Sequence, residues 1–465
     1  MSDIKFGTDG WRAIIADDYT VKNVIRVAEA AAIFMEERAM QKVVIGYDCR
    51  FGGKMFAETA ARVMGSHQIH VVMGDHVAST PMVSLGVRKL GADLGIVITA
   101  SHNPPSYNGF KLKSSFGGPS VPDDIAAVEN HIPDKPMKDL DSLDKMKENG
   151  LLTYMNLEDM YYDHVMASFD IPAIRNSTFT IGYDAMYGAG YLIFPRILPK
   201  ATCLYCDYNP SFYGQAPEPI ERNLKPFAEM IKADPNMQIG IANDGDADRI
   251  GMFDGDGNFV DSHHILLLLL LYLHKYKGMT GKVVITFSVT DKMVQMAQKF
   301  GLDVEVTKIG FKYIAEIMTR EDVLVGGEES GGLAVKGHIP ERNGVWIGLM
   351  ILEFMAKAGK SLKELVQMVY DEIGTFAFDR DDLHITEAQK EEVLNKCHGD
   401  KFTAFGPYNI TRTEKLDGFK YYLDNNTWIM IRPSGTEPVL RVYCEAPDKG
   451  IARTTLDAVK KELLG

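Results

Sequence analysis

Three aspartates at alternate positions point most directly to chemistry. They are Asp244, Asp246 and Asp248, in the segment Asn243-Asp244-Gly245-Asp246-Ala247-Asp248-Arg249. Alternate side chains of an extended backbone share one side, and carboxylate oxygens are ligands that Mg²⁺ prefers. An EF-hand would need Gly and Glu where this chain has Arg249 and Gly255, so that kind of site is excluded. We therefore predict a magnesium site, and the neighbouring Arg249 suits an anionic ligand such as phosphate.

A serine in a proline-bounded loop is the second candidate. Ser101 lies in Thr99-Ala100-Ser101-His102-Asn103-Pro104-Pro105, and Lys111 follows ten residues after it. A serine hydroxyl is a weak nucleophile unless a base or a metal activates it. Taken alone, a Ser-His pair or a single lysine is usually structural. We expect chemistry at Ser101 only if the aspartate loop faces it.

Two further loops have groups suited to a sugar phosphate. The first combines an arginine fork, two hydroxyls and a glycine that lets backbone amides approach a phosphate: Arg432, Ser434, Gly435 and Thr436. In the second, Glu328 and Ser330 stand among four glycines and could hydrogen-bond vicinal sugar hydroxyls. The structural alternatives are a hairpin exit for the first loop and a tight strand-to-helix turn for the second.

The elements that must position these loops follow α/β grammar. Short β-branched runs alternate with amphipathic stretches, as in the helix predicted at 21–37 and the strand predicted at 42–47. The alternation predicts a mostly parallel, helix-covered sheet, and it recurs twice, each time with a polar loop after a strand, where open α/β sheets bind ligands. The last 95 or so residues read instead as α+β. We expect three similar α/β domains and a C-terminal α+β domain, at 1–150, 151–257, 258–370 and 371–465.

The composition excludes several function classes. Fifty Lys+Arg against 63 Asp+Glu give a formal charge of -13, which disfavours binding to nucleic acid or to an anionic membrane. The five cysteines are scattered, which suits a reducing compartment. The first residues lack the apolar stretch of a secretory signal, and the run at 265–273 is too short for the roughly 20 residues of a membrane span. We expect a soluble cytoplasmic protein that acts on small molecules.

Together and in this order, the motifs resemble those of the α-D-phosphohexomutase superfamily over the whole chain. Five segments are similar to its opening, phosphoserine, metal, sugar and phosphate motifs, in that order: Phe6-Gly7-Thr8-Asp9-Gly10-Trp11-Arg12, the Ser101 loop, Asp244 to Arg249, the loop of Glu328 and Ser330, and Arg432 to Thr436. The resemblance implies four domains around a central cleft.

The resemblance also implies a reaction. Ser101 would carry a phosphate, and Mg²⁺ held by the three aspartates and by an oxygen of that phosphate would make it electrophilic. The phosphoryl group would pass to one end of a hexose phosphate, and the resulting hexose 1,6-bisphosphate would turn over and return the other phosphate. Glucose 1,6-bisphosphate would therefore serve as activator and intermediate.

Roles for individual residues follow from the same resemblance. Lys111 is similar to the family's candidate general base, a role that needs a lowered pKa, and His102 is a further catalytic candidate. Arg12 and Arg249 would stabilise charge at the reacting phosphate. Two more sets complete the expected site: Lys308 and Gly310 for the substrate, and Arg441 for the distal phosphate.

Three details bear on the substrate. The sugar loop has Gly332 where phosphomannomutase/phosphoglucomutase members commonly carry His, and Phe311 stands where some dual-specificity members carry His. The Glu-Glu-Ser sequence is closer to glucose-type mutases. We therefore favour glucose phosphate, with mannose phosphate possible, and we keep phosphoglucosamine mutase as the alternative.

Two other classes compete with a mutase. A metal-dependent sugar phosphatase would hydrolyse the Ser101 ester, but a second phosphate clamp would serve no purpose in simple hydrolysis. A non-catalytic binder of sugar phosphate or Ca²⁺ would have no need of Ser101, the three aspartates and Lys111 together.

Overall fold

The computed structural model of the chain describes residues 4–7, 9–433 and 439–464. These fall into two compact units, one formed by the chain up to Val284 with Gly310–Val366, the other by Ile285–Ile309 with the chain from Gln367. No helix among the described residues is long and apolar enough to cross a membrane.

The first domain contains a seven-stranded mixed sheet. In chain order its elements are β1 (Trp11–Ile14), α1 (Val21–Glu37), β2 (Lys42–Tyr47), α2 (Gly53–Ser66), β3 (His70–Gly74), α3 (Thr80–Leu90), β4 (Leu94–Ile98), β5 (Tyr107–Ser114), β6 (Gly118–Pro119), α4 (Pro122–Asn130), α5 (Leu143–Glu148) and β7 (Leu152–Met155). The strand order is β1-β5-β4-β2-β3-β7, with β6 beside β5. Strands β4, β2, β3 and β7 are parallel, whereas β1 and β5 run antiparallel to their neighbours.

This arrangement refines the mostly parallel sheet expected from the sequence. The chain returns directly from β4 along β5, and the Ser101 loop forms that return. The predicted helix α1 is confirmed: it begins after Thr20, whose side chain accepts a hydrogen bond from the amide of Asn23, and it buries its apolar face in the core. Strand β7 joins the first sheet, although it follows the boundary expected at residue 150.

The second domain has a five-stranded sheet in the order β12-β11-β10-β8-β9. Its elements are α6 (Leu157–Ser168), α7 (Ile171–Arg175), β8 (Thr180–Asp184), α8 (Ile193–Ile197), β9 (Thr202–Leu204), α9 (Lys225–Ala233), β10 (Met237–Asn243), β11 (Ile250–Asp254) and β12 (Phe259–Val260).

One helix of the second domain is shorter than the sequence predicts. A helix is expected over 188–197, but α8 covers only its last five residues. The segment before it contacts the aspartate loop instead: the amide of Ala189 donates to Gly245, and a Cβ at Gly188 would lie 2.6 Å from the Asp244 carbonyl oxygen.

The third domain has the elements α10 (Ser262–Leu271), β13 (Lys282–Thr286), α11 (Asp291–Lys299), β14 (Val304–Thr307), α12 (Phe311–Arg320), β15 (Val323–Gly327), β16 (Leu333–Val335), α13 (Gly344–Ala358) and α14 (Leu362–Ile373). The leucine run lies in α10, whose leucines are all buried. Strands β15 and β16 pair antiparallel and enclose the loop of Glu328 and Ser330.

The fourth domain is an antiparallel sheet with two helices, as expected. Its elements are β17 (Ala377–His384), α15 (Glu387–His398), β18 (Ala404–Phe405), β19 (Tyr408–Glu414), β20 (Phe419–Leu423), β21 (Trp428–Pro433), β22 (Val439–Ala446) and α16 (Lys449–Leu464). The strand order is β17-β22-β21-β20-β19-β18. The predicted hairpin is confirmed as β20 and β21.

Candidate functional site

The aspartate loop joins β10 to β11 and brings its three carboxylates together. One oxygen from each of Asp244, Asp246 and Asp248 lies within 4.8 Å of the others, and all three residues are buried. The backbone is not extended, as the sequence argument assumed. Ala247 has a left-handed φ of 56°, and its amide donates to the Asp244 carbonyl over 3.0 Å. A turn therefore makes the carboxylates converge.

The charges and free oxygens of this loop suit a metal ion. Asp246 Oδ1 and Asp248 Oδ1 are buried without a hydrogen-bond partner. Buried carboxylate oxygens are costly unless they are paired, and an all-oxygen donor set suits a hard divalent cation. Burial and the other two aspartates raise the pKa of Asp244 well above its ordinary value. The three aspartates could therefore hold a metal.

The structure places Ser101 against this loop. Its Oγ donates a hydrogen bond to Asp244 Oδ2 over 2.7 Å and lies 3.3 Å from Nδ1 of His102. A Cβ at Gly245 would lie 2.4 Å from the Ser101 carbonyl oxygen, so glycine allows the two loops to meet. Burial and nearby cations, Arg249 first among them, lower the pKa of His102 well below its usual value, which keeps the imidazole neutral.

Lys111 lies on β5 at the centre of the negative charge. Its Nζ is 2.8 Å from Asp246, 3.1 Å from Asp248 and 2.8 Å from Asp9. Burial opposes the ammonium charge, but the three carboxylates outweigh it and raise the pKa of Lys111 above its ordinary value. This direction is opposite to the lowered pKa that the sequence argument required of a general base. In this structure Lys111 neutralises the aspartates.

The two arginines expected at the reacting phosphate belong to different loops. Arg12 lies on β1, and its Nη1 donates to Asn103 Oδ1 over 2.5 Å, which ties it to the Ser101 loop. The Arg249 amide donates to Asp244 Oδ1 over 3.0 Å, and its backbone forms a bridge with Gly332. Arg249 thus connects the aspartate loop to the sugar loop.

The expected sugar loop lies directly beside the aspartate loop. The amide of Ile250 donates to the Gly331 carbonyl over 3.2 Å, next to the bridge between Arg249 and Gly332. Burial raises the pKa of Glu328 to about 7, although Arg342 and Arg249 partly offset the effect. Ser330 is half-buried. A carboxyl group with this pKa can donate or accept a hydrogen bond near neutral pH.

Arg342 and Asp9 are site residues that the sequence reasoning missed. Arg342 contacts Asp9, lies 2.7 Å from Asp248 and 3.9 Å from Glu328, and is buried. A Cβ at Gly332 would lie 2.4 Å from Arg342 Cδ, so the arginine fills the space where relatives commonly carry His. The absence of that His was the available sequence signal. Thr80, which donates to Asp246 Oδ2, had none.

The remaining predicted residues lie mostly in the second compact unit. Arg432 donates through Nε and Nη2 to the two oxygens of Asp417, over 3.1 and 3.3 Å. Asp417 also accepts the amide of Ile309 over 2.8 Å, beside the exposed Lys308. Asp417, which the sequence reasoning missed, therefore connects Arg432 to the Lys308 segment.

The other members of the two expected clamps are placed as follows. Arg441 stands opposite Arg432 in the register of β21 and β22, with Nε 3.9 Å from Asp382. Gly310 is buried in the first unit and has a φ of 137°. Ser434, Gly435 and Thr436 lie outside the described residues.

Comparisons with known proteins cover nearly the whole chain. The phosphoglucomutase/phosphomannomutase profiles match in order: alpha/beta/alpha domain I at residues 3–138, domain II at 159–257, domain III at 261–373 and the C-terminal domain at 385–462. The four-domain organisation expected from the sequence is thereby confirmed.

Individual relatives carry several substrate names. A phosphoglucosamine mutase of Methanococcus maripaludis is 30% identical, with 99% of both chains covered. A phosphoglucomutase/phosphomannomutase of Thermococcus kodakarensis is 29% identical over 97% of this chain and 96% of its own. A crystal structure from Thermus thermophilus, described as a phosphomannomutase, has a TM-score of 0.88 at 31% identity and covers 100% of both chains.

Proposed function

The chain belongs to the phosphoglucomutase/phosphomannomutase family, and we propose that it interconverts hexose 1-phosphate and hexose 6-phosphate through a phosphate carried on Ser101. One observation carries the proposal. Ser101 Oγ lies 2.7 Å from Asp244, in a buried group of three aspartates, and the sugar loop adjoins that group. A nucleophile, a metal site and a sugar-binding loop are therefore within reach of one substrate.

Each transfer exchanges one phosphorus–oxygen bond for another. The bond to Ser101 Oγ breaks as a sugar hydroxyl oxygen bonds to phosphorus, and the hydroxyl proton leaves to a base. Mg²⁺ bound by Asp244, Asp246, Asp248 and a phosphate oxygen on Ser101 would supply Lewis-acid polarisation of that phosphate. Arg12 and Arg249 would stabilise charge on the other phosphate oxygens.

Two residues compete for the role of proton acceptor. Lys111 is the residue that the resemblance indicates, but its raised pKa means that other positive charge must first compensate Asp9, Asp246 and Asp248. His102 is already neutral because its pKa is lowered, and it lies 3.3 Å from Ser101 Oγ. We assign the proton to Lys111 or His102, and the pH profiles of the two variants distinguish them.

The second transfer requires a group that holds the distal phosphate of the bisphosphate intermediate. Arg432 already uses two guanidinium donors on the two oxygens of Asp417, and the same fork fits two phosphate oxygens. Arg441, Ser434, Gly435 and Thr436 would complete that clamp. Glu328, Ser330, Lys308 and Gly310 would bind the sugar.

Glucosamine phosphate is the substrate that the comparisons favour. Relatives from Methanococcus maripaludis and Sulfurisphaera tokodaii are named for glucosamine phosphate, the latter for galactosamine phosphate as well. A C2 ammonium group would be attracted to the Glu328 carboxylate. Glucose phosphate, which the Glu-Glu-Ser sequence and Phe311 favoured, is the second candidate, and the name of the Thermococcus kodakarensis relative supports it.

The test is a panel of the α-1-phosphates of glucosamine, glucose and mannose, with Mg²⁺ and a trace of the matching 1,6-bisphosphate. Formation of the 6-phosphate and release of inorganic phosphate are measured side by side. We expect 6-phosphate from at least one sugar, the glucosamine form fastest, and little free phosphate. Stoichiometric phosphate release without 6-phosphate would instead identify a phosphatase, and no turnover of any sugar would contradict both.

A further inference from the structure

The backbone of Ser101 has an unusual conformation. Its φ is 53°, in the left-handed region, which non-glycine residues adopt rarely and at an energetic cost. Such a conformation persists only where the surroundings hold it. Both polar groups of the Ser101 peptide backbone are in fact bound, on opposite sides of the loop.

Arg50 holds the carbonyl side of the loop. Its Nη2 donates to the carbonyl oxygens of Ser101 and Asn103, each over 2.6 Å. Its Nη1 donates to those of Pro104 and Tyr107, over 2.8 and 3.0 Å. The Arg50 side chain is fully buried. One planar guanidinium thus fixes four carbonyl groups of the segment that carries the serine.

Thr99 and Asp48 hold the amide side. The Ser101 amide donates to Thr99 Oγ1 over 2.9 Å, and that hydroxyl donates to Asp48 Oδ2 over 2.5 Å. Asp48 also accepts the Arg50 amide over 2.9 Å, and its Oδ2 lies 3.3 Å from Arg50 Nε. The two sides are therefore joined into one buried network at the end of β2.

We propose that Arg50, Thr99 and Asp48 are positioning residues that hold Ser101 in its left-handed conformation and so direct Oγ at Asp244. The role rests on the proposed function, because it matters only if Oγ transfers phosphate. Gly245 presses on the same Ser101 carbonyl from the aspartate loop, so the carbonyl has no room to rotate away. None of the three residues touches the reacting atoms through this network. Their effect passes through the Ser101 backbone.

The test uses two variants of the full chain with matched controls. Thr99→Val keeps the shape of the side chain but removes the hydroxyl, and Thr99→Ser restores it. Arg50→Lys keeps the charge but cannot reach four carbonyls. The controls are Thr59→Val, whose hydroxyl bonds only to the Met55 carbonyl within α2, and Arg26→Lys, which loses a buried bond to the Pro133 carbonyl.

Four quantities are measured for each variant: kcat, KM, labelling of Ser101 by hexose 1,6-bisphosphate, and hydrogen exchange of residues 99–107. Small misplacements of a reacting atom cost up to about 100-fold. We expect kcat and the labelling rate to fall about 10- to 100-fold in Thr99→Val and Arg50→Lys, KM to change less than about 3-fold, and exchange in the loop to accelerate. Thr99→Ser should recover most of the rate.

The controls separate positioning from general stability. Thr59→Val and Arg26→Lys should lower the unfolding temperature and leave kcat within about 2-fold. The proposal is overturned if Thr99→Val keeps its kcat and its loop exchange, or if all four variants lose activity only in proportion to lost folded protein. If the wild type turns over no hexose phosphate, the proposed function fails. The exchange measurement then still decides whether the network holds the loop.

Discussion

The serine site and the Arg432 region both concentrate charge, but they do so in different environments. Asp244, Asp246 and Asp248 are 0% exposed and Ser101 and Lys111 are 1% exposed. The side chains of Arg432 and Arg441 are 23% and 39% exposed. Charges interact strongly where water is excluded and weakly where water and salt screen them.

This difference indicates how each region responds to change. In the buried site every charge depends on its neighbours, since Lys111 alone is within 3.1 Å of three carboxylates. Removing one group there leaves an uncompensated charge in a medium of low polarity. Arg432 has one carboxylate partner and access to solvent, so its loss should be graded and sensitive to salt. The predictions below test this contrast.

Removal of the nucleophile should have the largest effect. Ser101→Ala deletes the only oxygen that can carry the phosphate, so we expect turnover to fall by at least about 10⁴-fold with an unchanged unfolding temperature. Ser106→Ala, in the same loop but exposed, is the control and should keep full activity. Turnover is measured with the best sugar of the panel, and a Ser101→Ala protein at half the wild-type rate would remove Ser101 from the mechanism.

Loss of one aspartate should rank second. Asp246→Asn removes a charge that faces Lys111 and the expected metal, so we expect turnover to fall about 10³-fold and the Mg²⁺ concentration for half-maximal rate to rise. Asp256→Asn, in an exposed turn where the aspartate pairs with Lys363, is the control. Equal activity of Asp246→Asn in excess chelator would exclude a metal role for this loop.

Loss of the half-exposed arginine should rank third. Arg432→Ala removes a bidentate fork, and a charge-assisted contact is worth about 1.5–3 kcal/mol, or roughly 10- to 150-fold in kcat/KM. The loss should appear mainly in KM, shrink as salt is added, and increase the need for added 1,6-bisphosphate. Arg412→Ala, an exposed arginine stacked on Tyr422, should change none of these.

An unchanged KM for Arg432→Ala, with no greater need for bisphosphate, would show that the β21 exit is structural. The same result would remove the contrast between the two regions, because only the buried site would then bind substrate.

The smallest effect compares two buried glutamates, Glu328 in the sugar loop and Glu445 on β22. Burial raises the pKa of each to about 7 from an ordinary 4.5. An acid with a raised folded pKa binds a proton on folding between these two values, so the wild type should lose stability relative to either Gln variant as pH rises from about 4.5 to about 7. The difference above pH 7 should reach about 3 kcal/mol at most.

Urea unfolding at pH 5 and pH 8 measures this difference. Both Glu328→Gln and Glu445→Gln should show it, but only Glu328→Gln should change the KM for the sugar phosphate. A Glu328→Gln protein with the same relative stability at both pH values would show that the carboxyl group is ionised throughout.

Much of the fold was readable from local patterns. The helix at 21–37 and the strand at 42–47 were predicted with their observed bounds, because β-branched runs and helical periodicity reflect burial along one short segment. The helix predicted at 188–197 was too long, since its first residues bind the aspartate loop, a partner more than fifty residues away. Periodicity carries no information about such a partner.

The candidate site divides in the same way. The types of its groups were evident in the chain: a serine between prolines, three alternate aspartates and a glycine-rich sugar loop. Their convergence on one point was inferred only from a resemblance. Asp9, Thr80, Arg342 and Asp417 were missed because each lies in an ordinary stretch and acquires its role from a partner distant in the chain.

Residue chemistry and local structure were thus set by the order of amino acids, whereas the electrostatic state of the site was set by tertiary contacts. Lys111 illustrates this: the sequence argument needed a lowered pKa, and carboxylates more than a hundred positions away raise it instead. The physical reason is that desolvation and Coulomb interactions depend on distance in space and on exclusion of water. Both quantities exist only after the loops of separate domains have packed together.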